Sequence, residues 1–572
     1  MLSAASRKVS VTTLHPRALV GLSSFVGTIA PATASCCHLF STQSTSSEST
    51  ENPPVRPIPD PPGKYPIVGH LPRLLKGEGV KTWSDMFVES NSPIYNVHAM
   101  LPSGKPMVVT RDPDHAKEIL MNQGEFTVRT HQESWEYIFD KNGWPQGIPQ
   151  STGEDWKRRR KVLGETLLQQ KNSKQYVPLI VPIANRFVDC WEAHVDPSTG
   201  RFRTNVDVPV SVRTLTGMFA LDAVMKVVTG ADVEACSPHP PLPAEAVSFC
   251  KSIETMFNET TEVQKFLPYH LNFPNHSKSM RRLEEAWKEM YRFCSKFLTP
   301  IVDEYQQAGN VVPDRVKGTV LPKLFEEHEA GTLSMDEVLG VAVTAISGAV
   351  DTTGQTTEYI CYNLARNPDV QEKLYQYVKA PAGGGKELDW SIEDYELQKY
   401  LVAVVKESMR ITPTIGAHAR TLVKDAELTK YGYEDVPEGT LTLINYLEMT
   451  QDSQLFPQPH LFLPERFLKA PKNGKTQDED AAVGCPYHAE KTQAIEQGDA
   501  VCKSPYAAIP FGHGARKCVG KAFAEMDMHL AIAALLRRFK IEYDGPDLRQ
   551  QERNLLRPVE SLTPHFRFIP RD

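Results

Sequence analysis

Ten residues near the carboxyl end constrain this chain more than any others: Phe511-Gly-His-Gly-Ala-Arg-Lys-Cys-Val-Gly520. A cysteine that binds a metal must be held as its thiolate, close to cationic groups or backbone donors. Gly512, Gly514 and Gly520 let the backbone turn tightly and approach a flat ligand closely, while Arg516 and Lys517 put positive charge beside Cys518. After Gly520 comes KAFAEMDMHLAIAALLRRF, whose apolar residues recur at helical spacing. Cys518 is therefore expected at a helix amino terminus, where unpaired N–H groups and the dipole favour anionic sulfur. A buried structural cysteine, the bland alternative, explains neither the glycines nor the arginine.

Phe511-x-x-Gly514-x-Arg516-x-Cys518-x-Gly520 resembles, position for position, the haem-binding signature of the cytochrome P-450 family. The resemblance implies that Cys518 is the axial ligand of the iron in haem b (iron protoporphyrin IX). Phe511, Gly514, Arg516 and Gly520 would be cofactor-binding residues beside it. Electron donation from a thiolate ligand favours O–O cleavage. Cys485, in Cys485-Pro486, is a rival thiol, but it lies in a polar, acidic stretch without glycine support.

Four further places agree with the signature. Ser334-Met-Asp-Glu337 reads as a capping box that opens a long helix running to about Asn367 and ended by Pro368. Gly348-Ala-Val-Asp351-Thr352-Thr353 stands mid-way along it, an acid and two alcohols in an apolar run. A mid-helix threonine often only bonds back to the carbonyl of residue i−4. A buried carboxylate, in contrast, costs several kcal/mol unless it is compensated. The stretch resembles the family's oxygen-activating helix, which implies that Thr352 steadies dioxygen and Asp351 helps deliver protons. Ala349 stands where glycine is usual, so a smaller helix distortion is expected.

Glu407-Ser-Met-Arg410 places opposite charges three residues apart on one helical face. It reads either as a surface ion pair or, by resemblance, as the family's structural ExxR element, with Arg466 of Pro464-Glu-Arg-Phe467 as its third member. Trp156 and Arg160 share a face at i, i+4 spacing, and the resemblance makes them contacts to haem propionates. Arg158 and Arg159 between them read as a solvated basic surface. Arg420, seven residues after Pro413, resembles another propionate contact on a strand, a place suited to bidentate arginine–carboxylate pairing.

The 572-residue chain carries a formal charge of −7, which argues against a nucleic-acid partner. Its ten cysteines are scattered without a CxxC pair, as in a reducing compartment. Arg7, Lys8 and Arg17 precede the first acid, Glu48, in a Ser/Thr-rich opening. That composition reads as an organelle transit peptide over residues 1–52, with a secretory signal or membrane anchor as the alternative. The uncharged run 18–34 is broken by polar residues and Pro31, which makes a poor span. A proline-rich connector then leads into one domain, 53–572.

The resemblance implies a mostly α fold with a small β-rich lobe (α+β) near its amino-terminal end, haem lying between the long helix and the cysteine loop. It implies a monooxygenase that inserts one atom of dioxygen into a small lipophilic, steroid- or sterol-like substrate. The location implied is mitochondrial, on the matrix side of the inner membrane with peripheral membrane association, or else the endoplasmic reticulum. A ferredoxin would supply electrons, with a flavoprotein reductase as the alternative. Mitochondrial members often carry two lysines before the ExxR element, but here Val402 accompanies Lys406; Lys521-Ala522 stands where two arginines are common. Arg158, Arg159 and Lys161 are residues that could compensate. The acidic stretch 470–505 is expected on the donor-docking face, and loops near 128–150 and 412–420 at the substrate pocket. Two other functions remain open: an isomerase or dehydratase acting on peroxides, against which Thr352 speaks, and a non-enzymatic haem sensor.

Overall fold

A computed structural model describes residues 53–571 apart from 77–78, 100–103, 122–123, 125–127, 129–132, 204–209, 265–276, 380–384 and 469–503. The segment 1–52, the Cys485-Pro486 pair and nearly all of the 470–505 stretch thus lie outside the described residues.

The capping box forms as the sequence requires: Ser334 accepts from the Glu337 N–H, and Glu337 accepts from the Ser334 N–H. The helix it opens runs from Met335 to Arg366, and Pro368 begins the next one. The helices that build the site are, in chain order, α1 (Gly153–Leu163), α2 (Val177–His194), α3 (Val212–Thr229), α4 (Ala244–Gln264), α5 (Lys278–Gln307), α6 (Met335–Arg366), α7 (Lys399–Ile411) and α8 (Lys521–Arg538). The long α6 is the hub, with α3, α8 and α7 packed around it. Its crossing with α3 is close because both helices present glycine there. A Cβ on Gly354 would stand 2.9 Å from the backbone of Gly217, and Thr216 donates to the Gly354 carbonyl at 2.8 Å.

The strands are β1 (Ile94–Val97), β2 (Met107–Thr110), β3 (Ala417–Thr421), β4 (Leu441–Asn445), β5 (Phe539–Tyr543), β6 (Gln550–Arg553), β7 (Leu555–Pro558) and β8 (Phe566–Pro570). One sheet has the order β1-β2-β4-β3, antiparallel except for the parallel β2–β4 pair. Two antiparallel ribbons, β5–β8 and β6–β7, complete the β structure. The β lobe expected near the amino-terminal end is therefore assembled from both halves of the chain. The core is one large apolar cluster across the helices, with smaller clusters against the sheet. Cys190, Cys236, Cys250, Cys294 and Cys361 are unbridged thiols, in keeping with the reducing reading. No helix among the described residues is long and apolar enough to cross a membrane.

Candidate active site

The cysteine loop closes on itself before it meets anything else. The Cys518 N–H donates to the Phe511 carbonyl at 2.8 Å, and Lys517 N–H to Gly514 at 3.2 Å. Gly512 and Gly514 both have positive φ, 70° and 75°, so L side chains would be strained there. Gly514 also has no room for one, because a Cβ would come within 2.4 Å of the Leu120 carbonyl oxygen. Gly520 caps α8, two residues after Cys518, so the sulfur sits at that helix's amino terminus as expected. Cys518 is exposed, although the loop that carries it is pinned on both sides.

From one side comes α1. Arg160 donates to the Lys517 carbonyl at 2.6 Å, and Arg516 reaches back to the Ser151 carbonyl at 3.0 Å. Both guanidiniums lie over the Trp156 ring, Arg516 at 4.1 Å and Arg160 at 5.6 Å. Burial lowers the Arg160 pKa, and the nearby Cys518 sulfur opposes that shift. Trp156 is buried, and its Nε1–H has no hydrogen-bond partner among the described residues. From the sheet comes β3, whose buried Arg420 brings Nη2 to 3.6 Å from where a Gly512 Cβ would stand. Beside it, His418 bonds the Ile509 carbonyl at 2.8 Å. The structure thus gathers Cys518, Phe511, Gly514, Arg516, Gly520, Trp156, Arg160 and Arg420 into one region.

Two faces of α6 carry different chemistry. Between Gly340 and Leu364 only Ala345, Gly348, Ala349 and Thr352 are not buried, at i, i+3, i+4 and i+7 spacing. These small residues make a stripe with open space before it, since a Cβ on Gly348 would meet no atom within 4 Å. Thr352 Oγ1 donates back to the Gly348 carbonyl at 2.9 Å, the local bond that mid-helix alcohols favour. The helix continues unbroken through Ala349.

Asp351 lies on the other face, and sequence reasoning did not find what holds it. Arg213 of α3 donates to Oδ1, and Arg557 of β7 donates to Oδ2 at 2.6 Å and to Oδ1 at 3.3 Å. Gln355 accepts from both guanidiniums, at 2.8 and 2.9 Å. The cost of burying Asp351 did call for a cation. Neither arginine could be named, because they lie 138 and 206 residues away in the chain.

Glu407, Arg410 and Arg466 come together fully buried, which rules out a surface ion pair. Arg410 grips Glu407 with two bonds of 2.8 and 2.9 Å, and Arg466 adds a third at 3.2 Å. The arginines' remaining N–H groups donate to the carbonyls of Thr450, Leu461, Pro457 and Gln458. Arg158 and Arg159 depart from the solvated surface expected of them. Both bond Glu337, at 2.6 and 2.7 Å, and so tie α1 to the start of α6. Lys161 lies 3.6 Å from Glu327. Arginines committed to Glu337 are poorly placed to compensate for the missing donor-docking charges. Among the exposed cations in or next to the cysteine loop are Lys517 and Lys521, while Lys406, also exposed, acts on Glu525 of α8.

A family model described as Cytochrome P450 matches residues 59–564. The chain belongs to the cytochrome P450 family. Similar P450s include "Probable cytochrome P450 49a1" of Drosophila melanogaster, 26% identical over 95% of this chain and 88% of its own length. The mitochondrial sterol 26-hydroxylase of Mus musculus is 23% identical over 79% of this chain and 78% of its own. The mitochondrial cytochrome P450 11B1 of Rattus norvegicus is 26% identical over 82% and 83%. As a P450 the protein is a haem-binding monooxygenase that uses dioxygen and a lipophilic substrate. The residues present fit that group. A buried indole N–H without an acceptor among the described residues, the buried Arg420, the half-buried Arg160 and an exposed thiol meet at one place, as the carboxylates and iron of a porphyrin would require.

Proposed function

We propose that this P450 hydroxylates a sterol-like lipophile in mitochondria, with Cys518 as the thiolate that would hold the haem iron and a ferredoxin as electron donor. The observation that carries this reading is the convergence of Cys518, Trp156, Arg160 and Arg420, in a chain whose α6 also leaves a stripe of small residues uncovered. Trp156 Nε1–H, Arg160 and Arg420 would bind the haem carboxylates. Arg516 and the α8 amino terminus would keep Cys518 anionic. Haem, when bound, supplies the dioxygen chemistry and the bond-making.

The chain's own part is positioning, exclusion of water and proton supply. Ala345, Gly348 and Ala349 leave room for an apolar skeleton. Thr352 offers a hydroxyl that can exchange its bond to Gly348 for one to dioxygen. Asp351 would move a proton toward Thr352, and for that one of its arginines must release a carboxylate oxygen. The Glu407–Arg410–Arg466 cluster would brace the floor of the site without taking part in chemistry.

A sterol-like substrate and a mitochondrial address are supported by the relatives that bear the names mitochondrial sterol 26-hydroxylase and mitochondrial P450 11B1. The basic, acid-free opening of the chain agrees with the matrix side of the inner membrane. Peripheral membrane association is supported by an exposed apolar cluster along the chain, Tyr65, Ile67 and Leu75, with Ile67 94% exposed. Lys517 and Lys521, in and next to the thiolate loop, and the exposed Lys406 of α7 suit an acidic ferredoxin.

The test is spectral. The reduced, carbon-monoxide-bound protein should absorb far to the red of a histidine-ligated haem, and Cys518→Ser should lose that band. A binding screen with sterols, steroids and fatty acids should select the sterols. Turnover should require ferredoxin and its reductase. Retention of the band by Cys518→Ser would overturn the ligand assignment, and turnover with a flavoprotein reductase alone would overturn the donor.

A further inference from the structure

Asp351 is not the only carboxyl on the buried face of α6. Asp351, Gln355 and Glu358 follow at i, i+4 and i+7, so they share one side of the helix over about 10 Å. Glu358 is 3% exposed, and its Oε2 accepts no hydrogen bond among the described residues. Its nearest cation is Arg213, whose Nη1 lies 3.8 Å from that oxygen while Nη2 holds Asp351. A single guanidinium is thus stretched between two buried carboxyls. An orphaned carboxylate oxygen in such a place costs several kcal/mol as an ion, so the proton is its natural partner.

We propose that Glu358 is a positioning residue for proton delivery: it holds a proton while Asp351 is ionised, and it takes Arg213 when Asp351 becomes protonated. The pair then carries one negative charge between them, and Arg213 follows it. This rests on the reading that Asp351 supplies protons to Thr352. The charge balance needs nothing from outside except the proton itself, which enters from solvent. Arg213 reaches the surface, with 19% of its side chain exposed, and Glu254 of α4 is an exposed carboxyl close enough to act on it.

The charged and titratable groups that face Glu358 are Arg213 on α3, Glu254 on α4, and Asp351, Tyr359 and Cys361 on α6. Arg557 of β7 bonds Asp351 and Gln355 on the same face of the helix. Burial pushes the Glu358 carboxyl up to about 7; Arg213 opposes this, while Asp351 and Glu254 add to it. Burial also pushes Asp351 upward, against the pull of Arg213. Arg213 is the cation that the two carboxyls share, and Arg557 keeps its own bonds to Asp351.

The test follows dioxygen reduction by the holoenzyme with ferredoxin, ferredoxin reductase and no added substrate. Two electrons and two protons give hydrogen peroxide, and four of each give water, so the peroxide fraction reports proton supply. In the wild type the protonated share of Glu358 falls about tenfold between about pH 6 and pH 8. Ionised Glu358 draws Arg213 away and lets Asp351 take up protons more readily, so the peroxide fraction should fall over that range. Glu358→Gln should hold the fraction at its low-pH value throughout. Arg213→Lys, whose single ammonium cannot bridge both carboxyls, should flatten the profile as well.

A second readout needs no turnover. Glu358 binds its proton more tightly in the folded than in the unfolded chain, so urea stability should fall as pH rises from about 5 to 7. Glu358→Gln should remove that slope. A wild-type peroxide profile in both variants, or an unchanged stability slope, overturns the proposal. If Asp351→Asn also leaves peroxide at the wild-type fraction, the proton-delivery reading falls with it. If Asp351→Asn raises peroxide while Glu358→Gln tracks the wild type, only the role of Glu358 falls.

Discussion

Thr352 and Glu337 show what single side chains are asked to do here. Thr352 spends its hydroxyl on a bond to Gly348 that any mid-helix threonine could make. Thr352→Ala should therefore leave the fold and the haem spectrum intact. It should raise the share of reductant lost as peroxide several-fold, read as peroxide per electron consumed. Full coupling in this variant would remove the threonine from proton delivery. Glu337 is different, because its work is structural and pH-dependent. Hydrogen bonds from Arg158 are the chief cause of its low pKa, about 2, with burial opposing and the Ser334 N–H and Arg159 assisting. A depressed carboxyl stabilises the fold fully above its unfolded pKa, and that contribution is lost as pH falls through the folded value. Glu337→Gln should thus cost at most about 3 kcal/mol at neutral pH, and the deficit should shrink between about pH 4.5 and pH 2 in urea unfolding curves. At this scale the sequence was readable where the reasons were local. The glycines around Cys518 and the capping box announced themselves, whereas Arg158 and Arg159 read as solvated because nothing local says that a carboxylate 179 and 178 residues onward receives them.

Elements add what residues alone could not foretell. The helical spacing of Glu407 and Arg410 promised a pair, but only the burial of α7 makes it a node. Glu407 also accepts from the Leu463 N–H at 2.8 Å, so one carboxylate fixes two side chains and a loop. Removing one member leaves buried charge uncompensated, and Glu407→Ala should cost about 3–5 kcal/mol. Calorimetry should show that loss as a lower Tm, and cells should yield less haem-loaded protein. An unchanged Tm would mean that the cluster is better solvated than its burial indicates. The amphipathic run behind Gly520 and the capped run from Ser334 were legible as helices because their periodicity and ends are written locally. The sheet was not, since β2 pairs with β4 across more than 330 residues. Such pairing leaves no trace in either segment. A separation of 206 residues likewise hid Arg557, which a ribbon near the carboxyl end carries back to the middle of α6.

For the whole molecule the question is where it resides and what feeds it electrons. Residues 1–60 fused to a fluorescent protein should direct that protein to mitochondria, and delivery to the endoplasmic reticulum would refute the address. If exposed apolar residues dock the domain on a bilayer, Ile67→Asp should shift purified protein from the liposome fraction to the soluble one in flotation assays. No change would place the docking elsewhere. One contact sets the limits on how so large an assembly can rearrange around guests of different shape. Where Gly217 meets Gly354 the long α6 and its neighbour α3 touch main chain to main chain, with no side chain to act as a bearing. Such a joint works like a rivet, letting the rods swing through small angles while forbidding one to glide along the other. Adjustment to a bulkier guest has to come from the parts that are not riveted, chiefly the ribbon bearing Arg557 and the turns ahead of β3. Diversification of this scaffold toward new molecules is therefore steered to those edges, since at the rivet Gly354 has no room for even a methyl group.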